Sequence, residues 1–464
     1  MYGKILLGLL RLSEVVFMKV RQIVFLLLFA VIYLTGCLEQ PSIVTVVNKN
    51  QIVEEPEPIV EPEPEPEPEP EIIKQLTLMV YMAADNDLES YALQNLNQME
   101  LADCENLNVL VLMDRSEGYD ETDGDWKDTR LFEVCKDISG TAHIVSRRID
   151  CPDLGLSNHE KTELDMANPY VLSNFIEFVK RQYLTEKYAL IIWGHGTGWR
   201  YKIEENRLNC DGRAVAIDDK TGSYMQVTDL GNALRGQGLN VIGFDTCFGG
   251  VFENVYELKN CAEFTVGSPG ITPGAGWDYK SLLENLSAGV FSSRTIAEQM
   301  CNSSSAKTTV FCNEKLETLM NSFESFSKNL ANQIISENKR RSVFNTLFNA
   351  KSYKYTQYPC DMYLDIYSMA ELYANDSNKV LAASAEQLKR DVCAVTLSDT
   401  GYGIGVHFIP LVSSQITAVT HSFDYIKNPE NSHQCLFIKE SLWWVPTYDG
   451  KTGSLLNKLF YTDY

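Results

Sequence analysis

The sequence lacks the spacings that mark several common classes of functional site. None of its 12 cysteines forms a C-x-x-C pair, so a zinc ribbon or a thioredoxin-type redox site finds no support. No G-x-G-x-x-G follows the first apolar segment and no Walker lysine is present, which disfavours a nucleotide-binding domain. Basic residues are also scarce, with 40 Lys and Arg against 62 Asp and Glu. This acidic balance argues against nucleic-acid binding and is compatible with cationic substrates.

The remaining composition is that of a folded protein. The chain has 464 residues, of which 45% are hydrophobic and 22% charged, enough for one large domain or two ordinary ones with a real core. Apart from Cys37 and Cys247, discussed below, ten cysteines remain. In an oxidising compartment they could form up to about five disulfides. Ordinary buried thiols are the alternative, and the sequence assigns no pairing.

The amino-terminal residues predict an export signal of the lipoprotein type. Residues 23–34 (IVFLLLFAVIYL) are twelve apolar residues in a row, too few for a membrane span of about 20. They follow a short basic segment and end in LTGC, a lipobox whose cysteine is Cys37. We interpret residues 1–36 as a signal peptide, with Met18 as an alternative start, and Cys37 as the lipidated residue. An uncleaved anchor helix is the alternative interpretation.

Residues 37–74 read as a tether that follows the lipidated cysteine. Residues 54–71 are an almost perfect Glu-Pro repeat with nine glutamates. Proline fixes the backbone and neighbouring glutamates repel each other, so this segment is expected to be extended, at ~3.1 Å per residue. We therefore predict a membrane-anchored lipoprotein of the cell envelope, periplasmic or cell-surface, with its folded part held clear of the membrane.

From Gln75 onward, apolar runs of strand length alternate with helical patterns. Such strands, apolar on both faces and separated by helices, predict an α/β domain over residues 75–305 whose parallel sheet is covered on both sides. The predicted strands lie at 76–83, 107–114, 188–193, 240–244 and 264–267, with shorter ones at 130–134 and 143–146. The pattern changes in residues 306–464, a helical and mixed C-terminal portion. There we predict helices at 314–349 and 360–392 and strands at 308–312, 395–397 and 402–409.

Three predicted strands end in polar or reactive residues. The first ends in Asp85-Asn86-Asp87, the third apolar strand in Gly194-His195-Gly196, and the fourth in the run DTCFGG, which begins at Asp245. Active sites of open parallel sheets form just past the carboxyl ends of the strands. Two adjacent strands would therefore place His195 and Cys247 at the same edge of the sheet.

His195 and Cys247 are the predicted catalytic pair. A free thiol has a pKa of ~8.5 and needs a base to become a nucleophile at neutral pH, which a neighbouring imidazole can supply. The backbone N–H groups of Gly196 and Cys247 are candidates for an oxyanion hole, because the glycines let the backbone approach a substrate carbonyl closely. A buried structural thiol and an ordinary loop histidine are the alternative interpretations.

Several stretches in the expected order resemble the clostripain-like peptidases. The two specific ones are YALIIWGHGTGW (188–199) and NVIGFDTCFGG (240–250). Weaker ones are LTLMVYMAADNDLES (76–90), GDWKDTR (124–130), ELDMANPYVLSNFIEFV (163–179), PGAGWDY (273–279), YPCDMYLDIYSMAELY (358–373) and GYGIGVHFIP (401–410). The resemblance implies a caspase-like α/β/α sandwich with a central, mostly parallel sheet, and a cysteine endopeptidase with a Cys-His dyad.

The resemblance also implies cleavage after Arg or Lys, with acidic groups in the pocket that takes the basic side chain. By motif position, His195 is the general base and acid and Cys247 the nucleophile. Asp245 is the expected acid near the pocket floor, or else a turn residue. Asp278 is a second candidate for substrate binding, or else the start of a helix. The expected partners are protein or peptide substrates with basic residues.

Two further properties occur in the family. Members can activate by self-cleavage between the His and Cys blocks, where this chain has Arg200, Lys202, Arg207, Arg213, Lys220 and Arg235. Calcium use also occurs, although we expect no cofactor to be required. Oxygen ligands could come from Asp120, Asp123, Asp125 and Asp128, or these residues simply form a solvated loop.

Two functions from other classes remain open at this point. One is a non-catalytic surface lipoprotein that uses the same fold for binding or adhesion. The other keeps the dyad but changes the reaction, for example to transpeptidation. Intact His195 and Cys247 favour the peptidase, because a retired site has no physical need for both.

Overall fold

The computed structural model describes residues 74–198, 215–289, 292–337, 339–355, 358–397 and 401–408, with Ser441 and Trp443. The predicted signal peptide, Cys37 and the Glu-Pro tether lie outside these residues, as do the basic candidates Arg200 to Arg213. In the described ranges, no helix combines the length and apolarity needed to cross a membrane.

The described chain forms 13 strands. They are β1 (Leu76–Ala84), β2 (Leu107–Arg115), β3 (Arg130–Glu133), β4 (Arg147–Ile149), β5 (Lys187–Trp193), β6 (Val215–Asp218), β7 (Ser223–Met225), β8 (Val241–Asp245), β9 (Phe264–Gly267), β10 (Thr309–Cys312), β11 (Ser352–Tyr355), β12 (Tyr358–Asp365) and β13 (Gly405–Phe408).

Ten α-helices lie between these strands or follow them. They are α1 (Glu89–Glu100), α2 (Pro169–Gln182), α3 (Val227–Leu234), α4 (Phe252–Glu257), α5 (Tyr279–Ser287), α6 (Ser293–Ser303), α7 (Leu316–Glu337), α8 (Arg340–Leu347), α9 (Ile366–Glu371) and α10 (Lys379–Thr396). Pro169 opens α2 at a position where its missing N–H has no helical partner to lose.

Eight strands build the central sheet, in the order β10-β9-β8-β5-β1-β2-β3-β4. The five inner strands β9, β8, β5, β1 and β2 are parallel. The outer strands β10, β3 and β4 pair antiparallel with their neighbours. The predicted mostly parallel sheet is therefore confirmed.

The two faces of the sheet bury separate apolar cores. Along β1, Met79 and Tyr81 pack on one face with residues of α2 and α3. Leu78 and Val80 pack on the other face with residues of α1, α5 and α6. Successive residues of a strand point to opposite faces, so a strand that is apolar throughout needs a helical layer on each side. This arrangement is the predicted α/β/α sandwich.

The portion after residue 305 contributes to the same sheet, since β10 pairs with β9. It also forms a second sheet, in the order β11-β12-β13. A parallel bridge between Val251 and Gly405 joins this second sheet to the segment after β8. No disulfide joins any two of the eight cysteines whose side chains the structure describes.

Four local predictions are wrong. The strand predicted at 143–146 lies instead at β4. The helix predicted at 314–349 is two helices, α7 and α8. Residues 395–397 end helix α10 and do not form a strand. The helix predicted at 360–392 begins only after β12, where the Asp365 side chain accepts the N–H of Ser368 and caps α9.

Candidate active site

The predicted catalytic residues leave the sheet at the same edge. Strands β5 and β8 are parallel neighbours, with Trp193 opposite Asp245, so the loops that carry His195 and Cys247 start side by side. Both residues line a cavity of about 270 Å³. The wall of this cavity also includes Leu88, Trp193, Gly194, Asp245, Thr246, Ile271, Thr272, Pro273, Gly274 and Gly276.

The loop that carries His195 packs directly on the loop that carries Cys247. A Cβ atom at Gly196 would lie 2.3 Å from the carbonyl oxygen of Cys247 and 2.7 Å from Thr246 Oγ1. Real contacts are never this short, so only glycine allows the two loops to approach this closely. The roles of Gly196 and Cys247 in an oxyanion hole stay a prediction, which this close approach favours.

The imidazole of His195 is held by an acid that we did not assign to the site from the sequence. Nε2 of His195 lies 2.6 Å from Oδ1 of Asp87, in the loop after β1, the strand on the other side of β5. With the Nε2 proton donated to Asp87, Nδ1 keeps the lone pair that can accept a proton. The position of Asp87 at the carboxyl end of β1 was the available sequence signal.

The thiol of Cys247 contacts both backbone polar groups of Thr272. Sγ accepts the N–H of Thr272 at 3.3 Å and faces the carbonyl oxygen of Thr272 at 3.6 Å. Burial raises the pKa of the Cys247 thiol, and the Thr272 N–H offsets this only in part. The resting thiol is therefore protonated at neutral pH and needs a base to become a nucleophile.

Asp245 is the buried acid of the cavity, with only 4% of its surface exposed. Its Oδ2 accepts the N–H of Trp277 at 3.0 Å and the hydroxyl of Tyr279 at 2.9 Å. Its Oδ1 has no hydrogen-bond partner among the described residues. Burial raises the pKa of Asp245 to about 7. One carboxylate oxygen is thus held by two hydrogen bonds, while the other is buried without a partner among the described residues.

Asp278 lies elsewhere, at the N-terminus of α5. Its Oδ1 accepts the N–H of Ser281 at 3.0 Å and its Oδ2 accepts the Ser281 hydroxyl at 2.7 Å. These bonds lower the pKa of Asp278 and define a helix cap. Asp278 is not among the residues that line the cavity. A substrate-binding role for Asp278 stays a prediction that this placement does not favour.

One tyrosine of β12, in the second sheet, contacts both loops that carry the predicted catalytic residues. The buried Tyr363 donates its hydroxyl to the carbonyl oxygen of Thr197 at 3.1 Å, two residues beyond His195. Its ring lies 5.2 Å from the ring of Phe248, the residue after Cys247. Phe248 has a φ of 56°, a strained conformation for a side chain of this size. The C-terminal portion therefore helps to fix the geometry of the site.

The acidic run proposed from the sequence as a source of calcium ligands is engaged in local contacts. Each of its four carboxylates has partners nearby: Asp120 bonds Thr122, Asp123 bonds the N–H of Ile144 and faces His143, Asp125 lies near Lys127, and Asp128 pairs with Arg130 and Arg148. Calcium binding by this run stays a prediction.

A partly buried thiol and an imidazole at the edge of a parallel sheet, in the wall of a cavity that an aspartate also lines, are the residue types of a cysteine peptidase site. The sequence model of the clostripain family, Peptidase_C11, matches residues 80–430. The chain therefore belongs to the clostripain family, and the resemblance noted from its motifs is confirmed.

Individual relatives agree with this assignment. Clostripain from Hathewaya histolytica is 31% identical over 236 residues, a match that covers 47% of this chain and 43% of clostripain. The chain thus spans less than half the length of this curated relative.

Solved structures show the same fold. A secreted C11 cysteine protease from Bacteroides thetaiotaomicron, in complex with an irreversible peptide inhibitor, has a TM-score of 0.51 at 20% identity. The match covers 77% of this chain and 97% of that one. An inactive zymogen C11 protease from Parabacteroides distasonis has a TM-score of 0.53 at 16% identity, covering 75% and 95%. The caspase-like fold prediction is confirmed.

Proposed function

We propose that this cysteine peptidase is a lipid-anchored endopeptidase that cleaves after Arg and Lys, with Cys247 as nucleophile and His195 as general base and acid. The observation that carries the proposal is the position of Asp245. Its free Oδ1 belongs to a buried carboxyl group in the wall of the same cavity that holds His195 and Cys247. A buried acid beside a nucleophile selects a cationic side chain next to the scissile bond.

The chemistry follows from the groups at the sheet edge. His195 takes the Cys247 proton through the ring nitrogen that does not face Asp87, and the thiolate attacks the scissile carbonyl carbon. The oxyanion is stabilised by the N–H groups of Gly196 and Cys247. His195 then gives its proton to the leaving amine, and water hydrolyses the thioester. Asp87 holds the imidazole and stabilises its charged form throughout.

The pocket for the basic side chain uses the free oxygen of Asp245. An Arg guanidinium or a Lys ammonium that reaches Oδ1 forms a charge-assisted hydrogen bond with a carboxylate already fixed by Trp277 and Tyr279. The incoming cation offsets the desolvation that keeps this carboxyl partly protonated in the free enzyme. A neutral side chain leaves the buried oxygen without a partner and is selected against.

Export and anchoring rest on the amino-terminal sequence. The apolar segment 23–34 ends in the LTGC lipobox, and the Glu-Pro tract follows it as a spacer. The related B. thetaiotaomicron protease is secreted, which supports a location outside the cytoplasm. Metabolic labelling with a palmitate analogue tests the anchor. Label in the wild type and none in Cys37→Ala is expected, and equal label in both would contradict lipidation.

Self-processing between His195 and Cys247 is part of the same proposal. The P. distasonis relative is an inactive zymogen, which supports an activation step in this fold. Of the basic candidates, Lys220 and Arg235 lie among the described residues with side chains 54% and 48% exposed. N-terminal sequencing should find a second N-terminus in the wild type and not in Cys247→Ala. A single N-terminus in both would exclude self-cleavage.

Hydrolysis of short fluorogenic peptides tests the peptidase and its preference together. Peptides with Arg, Lys, Asp or Ala before the scissile bond are compared, with Cys247→Ala as the control. Cleavage after Arg and Lys that disappears in Cys247→Ala is the expected result. Cleavage of the Asp or Ala peptides at equal rates would overturn the basic preference. Tight peptide binding without any turnover would instead indicate the non-catalytic binding function.

A further inference from the structure

A group of three carboxylates includes Asp85, which precedes by two residues the aspartate that contacts His195. Asp85 follows β1, Asp114 lies near the end of β2 opposite Ala83, and Glu163 precedes α2. One carboxylate oxygen from each of the three lies within 4.8 Å of the others. Asp85 and Asp114 are completely buried, and Glu163 is partly buried. The peptidase mechanism uses none of these three residues.

The two buried carboxylates have oxygens that the protein does not satisfy. Asp114 accepts the Thr129 hydroxyl at 2.8 Å through Oδ1, but its Oδ2 has no hydrogen-bond partner among the described residues. Neither oxygen of Asp85 accepts a hydrogen bond of ordinary geometry from them. The Ser116 side chain and the Lys220 N–H act on this carboxyl and lower its pKa, but the opposing effect of burial is larger. Buried carboxylate oxygens without partners carry a large desolvation cost, so such a group indicates that another ligand is held there.

Carboxylates also outnumber cations around this group. The neighbouring Asp218 adds a fourth carboxylate, whose oxygens are already occupied by Thr221 and the N–H of Met166. The facing cation is Lys220, whose Nζ lies 2.9 Å from Oε2 of Glu163. The Lys220 side chain is 54% exposed and free to turn toward solvent. Burial raises the pKa of Asp114 well above its usual range, and Glu163, Asp85 and Asp218 raise it further.

We propose that Asp85, Asp114 and Glu163 bind one calcium ion. The donors are all carboxylate oxygens, which hard divalent cations prefer. Oxygens on opposite sides of a calcium ion, at 2.3–2.6 Å each, stand about 4.6–5.2 Å apart, so oxygens within 4.8 Å of one another fit around one ion. The proposal goes beyond the peptidase activity and places calcium away from the run Asp120 to Asp128.

An ion here would connect segments that position the active site. It would join the end of β1, the end of β2 and the segment before α2. Asp87, which bonds His195, follows Asp85 by two residues. The side chain of Asn86, between them, donates to the carbonyl oxygens of Ala83 and Ile217 at 3.0 Å each. Calcium would therefore stabilise the β1 loop from which Asp87 reaches the imidazole.

Calorimetric titration and thermal denaturation of the full-length Cys247→Ala chain test the proposal without relying on activity. The protein is first freed of metal with EGTA and then titrated with CaCl₂. We expect one bound ion and a rise in Tm of roughly 5 °C at saturation. Absence of both heat and Tm shift in the folded protein would overturn the proposal. MgCl₂ should give a smaller shift, and tighter binding of Mg²⁺ than Ca²⁺ would overturn the assignment to calcium.

Three further substitutions in the Cys247→Ala chain locate the ion. Asp114→Asn keeps the shape of the side chain and should weaken calcium binding at least tenfold. Asp125→Asn, at an exposed position of the acidic run, should bind as the parent does. If Asp125→Asn loses binding and Asp114→Asn keeps it, the proposed site is wrong.

Lys220→Gln removes the competing cation at an exposed position and should bind calcium several-fold more tightly. Unchanged or weaker binding by Lys220→Gln would contradict the site even if Asp114→Asn does not fold.

Discussion

Oδ1 of Asp87 lies 2.6 Å from Nε2 of His195, and this contact orients the imidazole of the predicted dyad. The two residues follow adjacent strands, β1 and β5, which pair in parallel from Leu76 opposite Lys187 to Met82 opposite Trp193. A carboxylate on one ring nitrogen fixes the tautomer and leaves the other nitrogen to exchange the proton of Cys247. Asp87 therefore acts on the reaction through His195.

Asp87→Asn should lower kcat roughly tenfold and leave KM within about twofold. The amide removes the charge that stabilises the imidazolium and no longer selects one tautomer, whereas the cavity that binds substrate is unchanged. The effect is smaller than for a buried triad acid because the Asp87 side chain is 69% exposed. Steady-state kinetics on an Arg peptide checks this, with Asp87→Glu expected to recover part of the lost kcat.

Asp103→Asn is the matched control for Asp87. Asp103 is an exposed acid that forms an ion pair with Lys136 at 2.8 Å and precedes β2, at the opposite edge of the sheet. Its kcat should equal that of the wild type. Two results would show that Asp87 does not position the histidine. One is a higher KM with unchanged kcat in Asp87→Asn, and the other is an equal fall of kcat in Asp103→Asn.

Asp245→Asn should remove the preference for basic residues and keep the fold. The amide oxygen can still accept from Trp277 and Tyr279, while the unpartnered carboxylate oxygen is replaced by a neutral donor. The kcat/KM for Arg peptides is expected to fall at least ~30-fold, since losing one partner of a buried charge pair costs about 2–5 kcal/mol. The kcat/KM for Ala peptides should change only a few-fold.

Asp278→Ala tests which of the two predicted acids, Asp245 or Asp278, binds the basic side chain of the substrate. Because Asp278 caps α5, this variant should lose about 1 kcal/mol of stability without any change in preference between Arg and Ala peptides. Urea denaturation and the same peptide assays measure both effects. A drop in Arg preference in Asp278→Ala, with Asp245→Asn unaffected, would reverse the assignment of the pocket.

The buried carboxyl of Asp245 also predicts a pH dependence. Burial raises the pKa of Asp245 to about 7, so this carboxyl gains a proton as the pH falls below 7. The kcat/KM for Arg peptides should then decline below pH 7 more steeply than that for Ala peptides. In Asp245→Asn the Arg and Ala profiles should run parallel. Parallel profiles in the wild type would mean that Asp245 does not meet the substrate cation.

The raised pKa of Asp245 also predicts how the free energy of unfolding changes with pH. The folded chain holds the Asp245 proton more tightly than the unfolded chain, in which the carboxyl titrates near 3.8. The free energy of unfolding therefore loses a contribution from Asp245 as the pH rises from about 4 to about 7, and this contribution is constant above that range. Asp245→Asn should show no such loss, so its Tm relative to the wild type should be higher at pH 8 than at pH 5.

The sequence was most informative where local pattern and topology agree. Apolar runs predicted the inner strands. The rule that sites form at the carboxyl ends of parallel strands predicted that His195, Cys247 and Asp245 lie close together, and the structure places them in one cavity. Asp87 also follows a strand. Its contact with His195, however, depends on β1 being the neighbour of β5, and strand order is not encoded in any local pattern.

Other features depended on contacts between distant segments. The residues YPCDMYLDIY alternate in a way that suits a strand, but the helical segment that follows led us to predict one long helix. The strand β12 forms because β11 and β13 pair with it from both sides. Asp85, Asp114 and Glu163 are likewise far apart in the sequence. They come together because β1 and β2 pair in register and because the segment before α2 passes close to the ends of these strands.

Tyr363 of β12 gives a way to test whether the second sheet supports catalysis. Tyr363→Phe keeps the ring against Phe248 but deletes the hydroxyl that donates to the Thr197 carbonyl at 3.1 Å. We expect a loss of about 1 kcal/mol of stability, because a buried carbonyl loses its donor. We also expect a several-fold loss in kcat, since Thr197 follows His195 by two residues and the loop is less well held.

Tyr373→Phe is the matched control, because the Tyr373 hydroxyl donates to the Val343 carbonyl at 3.3 Å in the helical part of the C-terminal portion. Its stability should fall by a similar amount while kcat stays at the wild-type value. Urea denaturation and kinetics on an Arg peptide measure both variants. If kcat falls equally in the two, lost stability alone explains the effect. If it falls only in Tyr363→Phe, the hydroxyl of β12 positions the loop that carries His195.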